Sequence, residues 1–231
     1  MGLFYYDWTY IVFMLPCLIL SLICSARVKS TFSKYSGIPN SKRLTGAQAA
    51  YSLLRSKGIN GVRIEAVGGE LTDHFDPRSN VIRLSQPVYN ATSVAAVGVA
   101  CHEAGHACQH AEGYFPNKLR SAIIPVANFG SRLSWIVLII GMILPVQFNF
   151  VITIGIILFS VSVLVTLVTL PVEFNASSRA LAVIKETGML NEQEYEGAKK
   201  VLSAAAMTYV ASAATSIMQL LRLLFIFRRR K

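Results

Sequence analysis

The chain has 231 residues, of which 53% are hydrophobic and only 15% charged, and its net charge is +10. A soluble domain carries about a quarter charged residues, so this composition excludes an ordinary soluble globule and favours a polytopic membrane protein. Nucleic-acid binding is also disfavoured, because the Lys and Arg residues flank long apolar runs, as the positive-inside rule requires, and form no stripe interleaved with aromatic residues.

The first predicted element is an apolar run from Trp8 to Ala26, which Arg27 and Lys29 follow. The run is long enough to span a bilayer, and the stretch before it lacks the positive charge of a signal peptide. We therefore predict a transmembrane anchor over residues 1–26, with the N-terminus outside and the following chain inside. A cleaved signal peptide is the alternative, since small residues stand at 24–26.

A mixed polar region follows the anchor. It begins with a predicted helix that Thr45 caps and Gly58 ends. Two short alternating runs, 62–67 and 81–84, then predict strands. Because the turn sequence Asp-Pro-Arg-Ser-Asn precedes the second run, we also expect a hairpin that pairs residues 73–75 with this run.

Two long apolar runs, Leu133–Pro145 and Phe148–Leu170, are joined by an uncharged tip. The first run is short for a span of about 20 residues, and it reaches that length only if it begins upstream, near Pro125. We predict a transmembrane hairpin over residues 125–171, which returns the chain to the side of the membrane that it left.

The last apolar run, Ala205–Phe227, carries Arg222 and ends in a basic tail. We describe residues 205–231 as a C-terminal apolar helix with this tail. A spanning helix would place the basic tail outside, against the positive-inside rule. Alternatively the helix packs along the preceding polar domain or lies at the membrane interface, and the sequence leaves this choice open.

The motif His102-Glu103-Ala104-Gly105-His106 lies in a predicted helix that Thr92 or Ser93 caps and Gly113 breaks. Residues four apart share one helix face, about 6 Å apart along the axis, so both imidazoles can bind one metal ion. Glu103 lies beside them, close enough to take a proton from metal-bound water. Buried structural histidines are the alternative, but two His and one Glu are costly in an apolar segment without a function.

A catalytic zinc needs a third protein ligand and one open position. His110 continues the same helix face, but it lies about 12 Å along the axis from His102, too far to share one tetrahedral ion. Glu173 is the better candidate, because a carboxylate at the end of a transmembrane run is unusual without a partner. The hairpin also returns Glu173 to the membrane face of the motif helix. An interfacial Glu in solvent is the alternative.

Several separate blocks resemble the YugP-type putative neutral zinc metallopeptidases. These blocks are residues 74–85, the motif helix, residues 119–131 and residues 170–177. The resemblance covers nearly the whole chain and implies an integral membrane peptidase with zinc, Zn²⁺, as its cofactor. It carries His102 and His106 over as metal ligands, Glu103 as the catalytic residue and Glu173 as the third ligand, which is the gluzincin plan.

A wider resemblance to HtpX-like membrane proteases shows one departure. Those proteases place Glu-x-x-Ala-Asp on the third-ligand helix, where the Asp supports a zinc-binding histidine, and Ser177 stands in its place here. This leaves open which group orients the imidazoles. Asn175 and Asn128 are polar candidates.

We therefore predict a mainly α membrane protein with transmembrane helices and a small α+β zincin-like catalytic domain. The domain comprises residues 27–124 and 172–204, with a short β-hairpin or sheet before the HExxH helix. Its predicted partners are a protein or peptide substrate and the lipid bilayer, without nucleic acid. We expect a multi-pass protein of the cell membrane whose catalytic site faces the cytoplasm.

The predicted reaction is hydrolysis of peptide bonds by a zinc-activated water, with Glu103 as the general base that passes its proton to the leaving amine. An oxyanion also needs a donor besides zinc, and His74, Arg179 and Tyr195 are the candidates. The strand hairpin offers an edge to an extended peptide. A non-protease zinc-dependent hydrolase and a non-catalytic scaffold are the alternative functions.

Overall fold

The computed structural model of the protein describes residues 8–230. Of these described residues, 76% are helical, and they include one three-stranded sheet, so the predicted mainly α fold class is confirmed. The elements in chain order are a π-helical turn (Tyr10–Met14), α1 (Leu15–Ser36), α2 (Gly46–Ser56), β1 (Arg63–Val67), β2 (His74–Asp76), β3 (Val81–Ser85), α3 (Gln86–Tyr89), α4 (Val94–Ala111), α5 (Phe115–Ile143), a 3₁₀ turn (Val146–Phe148), α6 (Asn149–Glu186) and α7 (Glu192–Arg230).

The chain folds as two compact units. The α/β unit comprises Ser25–Lys118 and Pro171–Met207, and the helical unit comprises Leu119–Leu170 with the described residues up to Cys24 and from Thr208 onward.

The α/β unit has a core in which α2 and α4 pack together with β3 and with residues of α6 and α7. Leu53, Ile82 and Leu84 are fully buried there. Each such side chain stabilises the fold by about 1.5–3 kcal/mol relative to leaving it in water. Helix α2 begins as predicted: the Thr45 hydroxyl accepts from the Gln48 N–H, and the Gln48 side chain accepts from the Thr45 N–H. This capping box satisfies two amides that the helix itself leaves unpaired.

The sheet has the order β1-β3-β2, with β1 parallel and β2 antiparallel to β3. The predicted hairpin is confirmed, although β2 lies one residue later than expected, because it ends at Asp76, which pairs with Val81. The Asp76 carboxylate accepts hydrogen bonds from the Arg78 N–H and the Ser79 hydroxyl. These local bonds stabilise the turn immediately after β2.

The long helices supply four candidate membrane spans by length and composition, Tyr10–Ser36, Phe115–Ile143, Val146–Glu186 and Glu192–Arg228. In the helical unit, α5 and α6 approach closely at Gly155, where an added Cβ would lie 2.7 Å from Leu138 Cγ. Small residues at such crossings let transmembrane helices pack tightly. The protein is therefore a helical membrane protein.

Three helices are longer than the apolar runs that predicted them. The first continues to Ser36, ten residues past the predicted anchor, whose residues 1–7 lie outside the described part. Helix α5 begins at Phe115 rather than near Pro125, and α7 joins the polar segment to the last apolar run without a break. Hydropathy detects only the apolar part of a helix. Pro125 and Pro171 are also tolerated inside α5 and α6, as prolines are in membrane helices.

Candidate metal centre

Helix α4 carries the HExxH motif through the core of the α/β unit. Ser93 caps it, since its hydroxyl accepts from the Ala96 N–H at 3.2 Å. Gly113 follows the helix end with a φ of 68°, a left-handed conformation that favours glycine. Both ends therefore match the sequence prediction.

Gly105 allows α4 and α6 to approach closely beside the motif histidines. A Cβ at Gly105 would lie 2.6 Å from the carbonyl oxygen of Ala176. Because a backbone atom cannot move aside cheaply, the crossing requires glycine at this position. Glu173 lies three residues before Ala176, about one helical turn away, so the same crossing brings it toward His102 and His106.

The three residues predicted as ligands lie together. Nε2 of His102 is 3.2 Å from Nε2 of His106, and Oε2 of Glu173 lies 3.3 Å from the first and 3.5 Å from the second. A tetrahedral zinc with bonds of about 2.0–2.1 Å separates its ligand atoms by about 3.4 Å. Since the triangle has these dimensions, the donor set suits a zinc ion.

The outer nitrogen of each imidazole has its own partner. His102 Nδ1 is 3.0 Å from the Ser177 hydroxyl, and His106 Nδ1 is 3.1 Å from Oε1 of Gln109. A carbonyl oxygen can only accept, so Nδ1 of His106 carries a proton, and in the neutral ring the Nε2 lone pair is then left for a metal. This is the tautomer that a ligand at Nε2 must have.

The site is rich in negative charge. Glu103 and Glu173 are 8% and 2% exposed. Burial by itself lowers the pKa of His106, but the hydrogen bond to Glu173 and the charge of Glu103 outweigh it, so the pKa is raised above its ordinary value. The surroundings of His106 therefore favour a positive charge, which either a proton or a metal cation can supply.

His110 lies outside this cluster. It is exposed, and its ring packs against Phe75 of β2 with 5.7 Å between the centroids. His110 therefore lies apart from the three predicted ligands, and its exclusion as a ligand stays a prediction.

The three oxyanion candidates make other contacts. His74 Nδ1 is 2.8 Å from the carbonyl oxygen of Thr72. The Tyr195 ring lies 5.6 Å from Lys185 Nζ. Arg179 forms a 2.7 Å ion pair with Glu112 and donates from Nε to Asn175 Oδ1. None of these contacts involves a predicted ligand.

The imidazole partners were missed in the sequence. Ser177 itself contacts His102, and Gln109 contacts His106. Asn175, which was one of the two candidates, accepts a hydrogen bond from Gln109 Nε2 at 3.0 Å. It is therefore linked to His106 through Gln109. Asn128 belongs to the helical unit. The available signal was the position of Gln109, three residues after the second histidine and therefore on the same helix face.

An HExxH helix, a glutamate from a second helix and long apolar helices are the features expected of a membrane zinc metallopeptidase. The chain belongs to the family described as "Putative neutral zinc metallopeptidase", which it matches over residues 10–228. It is similar to the "Putative membrane protease YugP" of Bacillus subtilis (strain 168), with 47% identity over 218 residues, 94% of this chain and 96% of the relative. No solved structure matches the chain. The predicted resemblance is confirmed, and the family implies zinc as the cofactor.

Proposed function

We propose that the protein is a membrane-bound, zinc-dependent metalloendopeptidase whose ion is held by His102, His106 and Glu173. The observation that carries this proposal is the triangle of two imidazole nitrogens and one carboxylate oxygen with sides of 3.2, 3.3 and 3.5 Å. Two neutral nitrogens and one anionic oxygen form a typical catalytic zinc set, which leaves one coordination position open.

Glu103 acts as the general base of the proposed reaction. Zinc supplies Lewis-acid chemistry, in that it acidifies water and polarises a carbonyl group. Glu103 follows the ligand His102 on α4 and is a buried carboxylate, so it takes the proton of the attacking water on a carboxylate oxygen. It then passes the proton to the leaving amine, which makes amine departure possible.

The substrate binds in an extended conformation along β2. This strand lies at the border of the sheet, since the order is β1-β3-β2. It also contacts the motif helix, through the Phe75 and His110 rings. An added peptide strand gains main-chain hydrogen bonds without regard to its sequence. A strand at the border of the sheet therefore fits an endopeptidase that recognises unfolded protein segments.

The site faces the cytoplasm of a multi-pass protein in the cell membrane. The support is the distribution of charge: no Lys or Arg stands at the 145–148 tip between α5 and α6, whereas ten Lys and Arg residues stand in the segment 27–83 between the first apolar run and the motif helix. Basic segments beside membrane spans favour the cytoplasmic side, and these ten residues outnumber the four Lys and Arg residues of the C-terminal tail, which lies outside if the last run spans.

The test combines metal analysis with the Glu103→Gln protein and a matched control, Glu186→Gln, which removes an exposed carboxylate. We expect one zinc per chain in all three proteins. Peptide cleavage falls about 10²–10⁴-fold or more in Glu103→Gln, the usual contribution of a general base. The control keeps its activity.

Three results would overturn the proposal or one part of it. A wild-type protein that holds no stoichiometric zinc excludes a zinc enzyme. Unchanged cleavage by Glu103→Gln excludes this residue as the base. A zinc-loaded protein that cleaves other amides but no peptide would instead be a non-protease hydrolase.

A further inference from the structure

Gln109 is a fully buried polar side chain in the middle of the α/β unit, with 0% of its surface exposed. A buried amide needs partners for both its oxygen and its NH₂ group, because each unpaired polar group costs about 1–3 kcal/mol. The partners of Gln109 therefore show what the side chain does.

Both ends of the amide are hydrogen-bonded. Oε1 is 3.1 Å from Nδ1 of His106 on the same helix, whereas Nε2 donates to the Val172 carbonyl at 2.7 Å and to Asn175 Oδ1 at 3.0 Å on α6. Both α6 atoms are acceptors, so they define which end of the amide is nitrogen. The oxygen must then face His106.

We propose that Gln109 is a positioning residue that prepares the metal centre in two ways. Its oxygen holds His106 in the tautomer with the proton on Nδ1, and its NH₂ group ties α4 to the α6 turn that carries Glu173. This inference rests on the proposed zinc site. If that site is correct, Gln109 holds the ligands His106 and Glu173 in place before the metal binds.

The contacts of Asn175 continue this network to the end of α4. Asn175 Oδ1 also accepts from Arg179 Nε at 2.7 Å, and Arg179 pairs with Glu112 at 2.7 Å. Glu112 is the C-cap of α4. The network therefore begins and ends on α4 and joins α6 to it at two points, which restrains the position of Glu173 relative to the two histidines.

An amide suits this position better than a carboxylate or a thioether. Glutamate offers acceptors only, so it would keep the bond to His106 but place a charge against two α6 oxygens. Methionine has a similar length and makes none of these bonds. The Gln109→Glu and Gln109→Met proteins therefore separate the two roles of the side chain.

The experiment uses the full-length protein with ¹⁵N-labelled histidine, which is practical because the chain has only four histidines. Gln219→Met is the matched control, since Gln219 is a buried glutamine of the helical unit, 7% exposed. Two quantities are measured. The zinc dissociation constant is obtained by competition with a chelator. The ring ¹⁵N chemical shifts of His106, recorded without zinc at a pH where the imidazole is neutral, identify its tautomer.

We expect about 10–100-fold weaker zinc binding in Gln109→Met, the usual effect of losing a ligand's hydrogen-bond partner. Its His106 ring should show a mixture of tautomers, whereas wild type and Gln219→Met show the Nδ1–H form. Gln109→Glu keeps the acceptor and should retain the Nδ1–H form.

Wild-type zinc affinity together with an unchanged tautomer in Gln109→Met would overturn the role of Gln109 and leave the zinc peptidase intact. If Gln109→Met does not fold, the decision falls to Gln109→Glu, in which loss of the Nδ1–H form overturns the proposal. Absence of zinc binding by the wild type overturns the proposed function instead, so the two failures are distinguishable.

Discussion

Both imidazoles of the candidate metal centre have neutral partners, a hydroxyl from Ser177 and an amide oxygen from Gln109. A carboxylate raises the basicity of the ligand more than a hydroxyl does, because hydrogen bonds to charged acceptors are stronger. We infer that His102 and His106 donate less electron density to a bound metal than in sites supported by a carboxylate.

The Ser177 hydroxyl can be tested at the level of this single contact. In Ser177→Ala we expect zinc binding about tenfold weaker, because His102 loses the partner of Nδ1. In Ser177→Asp we expect binding at least as tight as in wild type, since a carboxylate is the stronger acceptor. Chelator competition measures both. The neighbouring exposed Ser178→Ala serves as the control, and equal affinity of Ser177→Ala and Ser178→Ala would contradict the assignment.

At the scale of elements, α4 has two close crossings at glycines, and they differ in how strictly they require glycine. At Gly105 an added Cβ would meet backbone, the Ala176 carbonyl oxygen at 2.6 Å. At Gly98 it would meet the methyl group of Ala198 on α7 at 3.3 Å. The first contact is impossible without helix movement, whereas the second requires a shift of a few tenths of an ångström.

These two glycines form a matched pair for a substitution test. Gly105→Ala should displace α6 and with it Glu173, and overpacking of this kind costs about 1–3 kcal/mol. If that cost falls on the metal-bound state, zinc binding weakens about 5–150-fold. Gly98→Ala should bind zinc within about twofold of wild type. Equal zinc affinities of the two variants would show that the α4–α6 crossing does not position the third ligand.

The β2–β3 hairpin contains a separate electrostatic element. Asp76 accepts hydrogen bonds from the Ser79 hydroxyl, the Arg83 guanidinium and the Arg78 N–H, and these bonds hold the pKa of its carboxyl well below the usual range. A carboxyl group with a depressed pKa in the folded state stabilises the fold above its unfolded pKa of about 4. That stabilisation is lost as the pH falls through the folded pKa.

Asp76→Asn should therefore lower the unfolding temperature at neutral pH. The difference from wild type should be constant down to about pH 4, the unfolded pKa, and should narrow below it as the wild-type carboxyl becomes protonated. Thermal unfolding of both proteins in the same detergent, followed from pH 7 to pH 2, measures this difference. If the difference in unfolding temperature does not narrow in acid, the charge of Asp76 is excluded as its cause.

At the scale of the whole molecule, the end of the last helix lies beside the start of the first within the helical unit. Arg222 is 6% exposed, donates from Nε to the Thr9 hydroxyl at 2.9 Å, and lies 3.6 Å above the Tyr10 ring. The Trp8 and Phe225 rings are also in contact, with centroids 5.7 Å apart. Buried arginines in membrane helices are rare and face the protein interior. The arrangement favours a last helix that spans the membrane antiparallel to the first.

A spanning last helix has a consequence for topology that cysteine labelling can test. All four native cysteines are buried, so an introduced exposed cysteine is the reactive one. We expect Gln147→Cys and Arg228→Cys to react with an impermeant maleimide on intact cells. Asn60→Cys in the α/β unit should react only after permeabilisation. Protection of Arg228→Cys in intact cells would mean that the last helix does not cross.

Much of the fold was predictable because its signals are local. The cap at Thr45, the turn at Asp76 and the HExxH spacing each depend on residues within a few positions of one another. Helix lengths were less predictable, because hydropathy does not report the polar turns that continue α1, α5 and α7 into the α/β unit. The sequence left open whether the last run spans for a different reason. The contact of its Arg222 with Thr9 joins opposite ends of the chain, and no local pattern predicts it.

The sequence by itself determined the chemistry of the candidate centre. The two histidines and the glutamate between them follow from helical periodicity, and Glu173 followed from a carboxylate standing at the end of an apolar run. Only the tertiary structure decided that Ser177 contacts His102, that Gln109 bonds to Val172 and Asn175 on α6, and that Gly105 lets the helices meet. These contacts join residues that lie up to 75 positions apart along the chain. Their formation depends on the packing of α4 against α6, which no local pattern encodes.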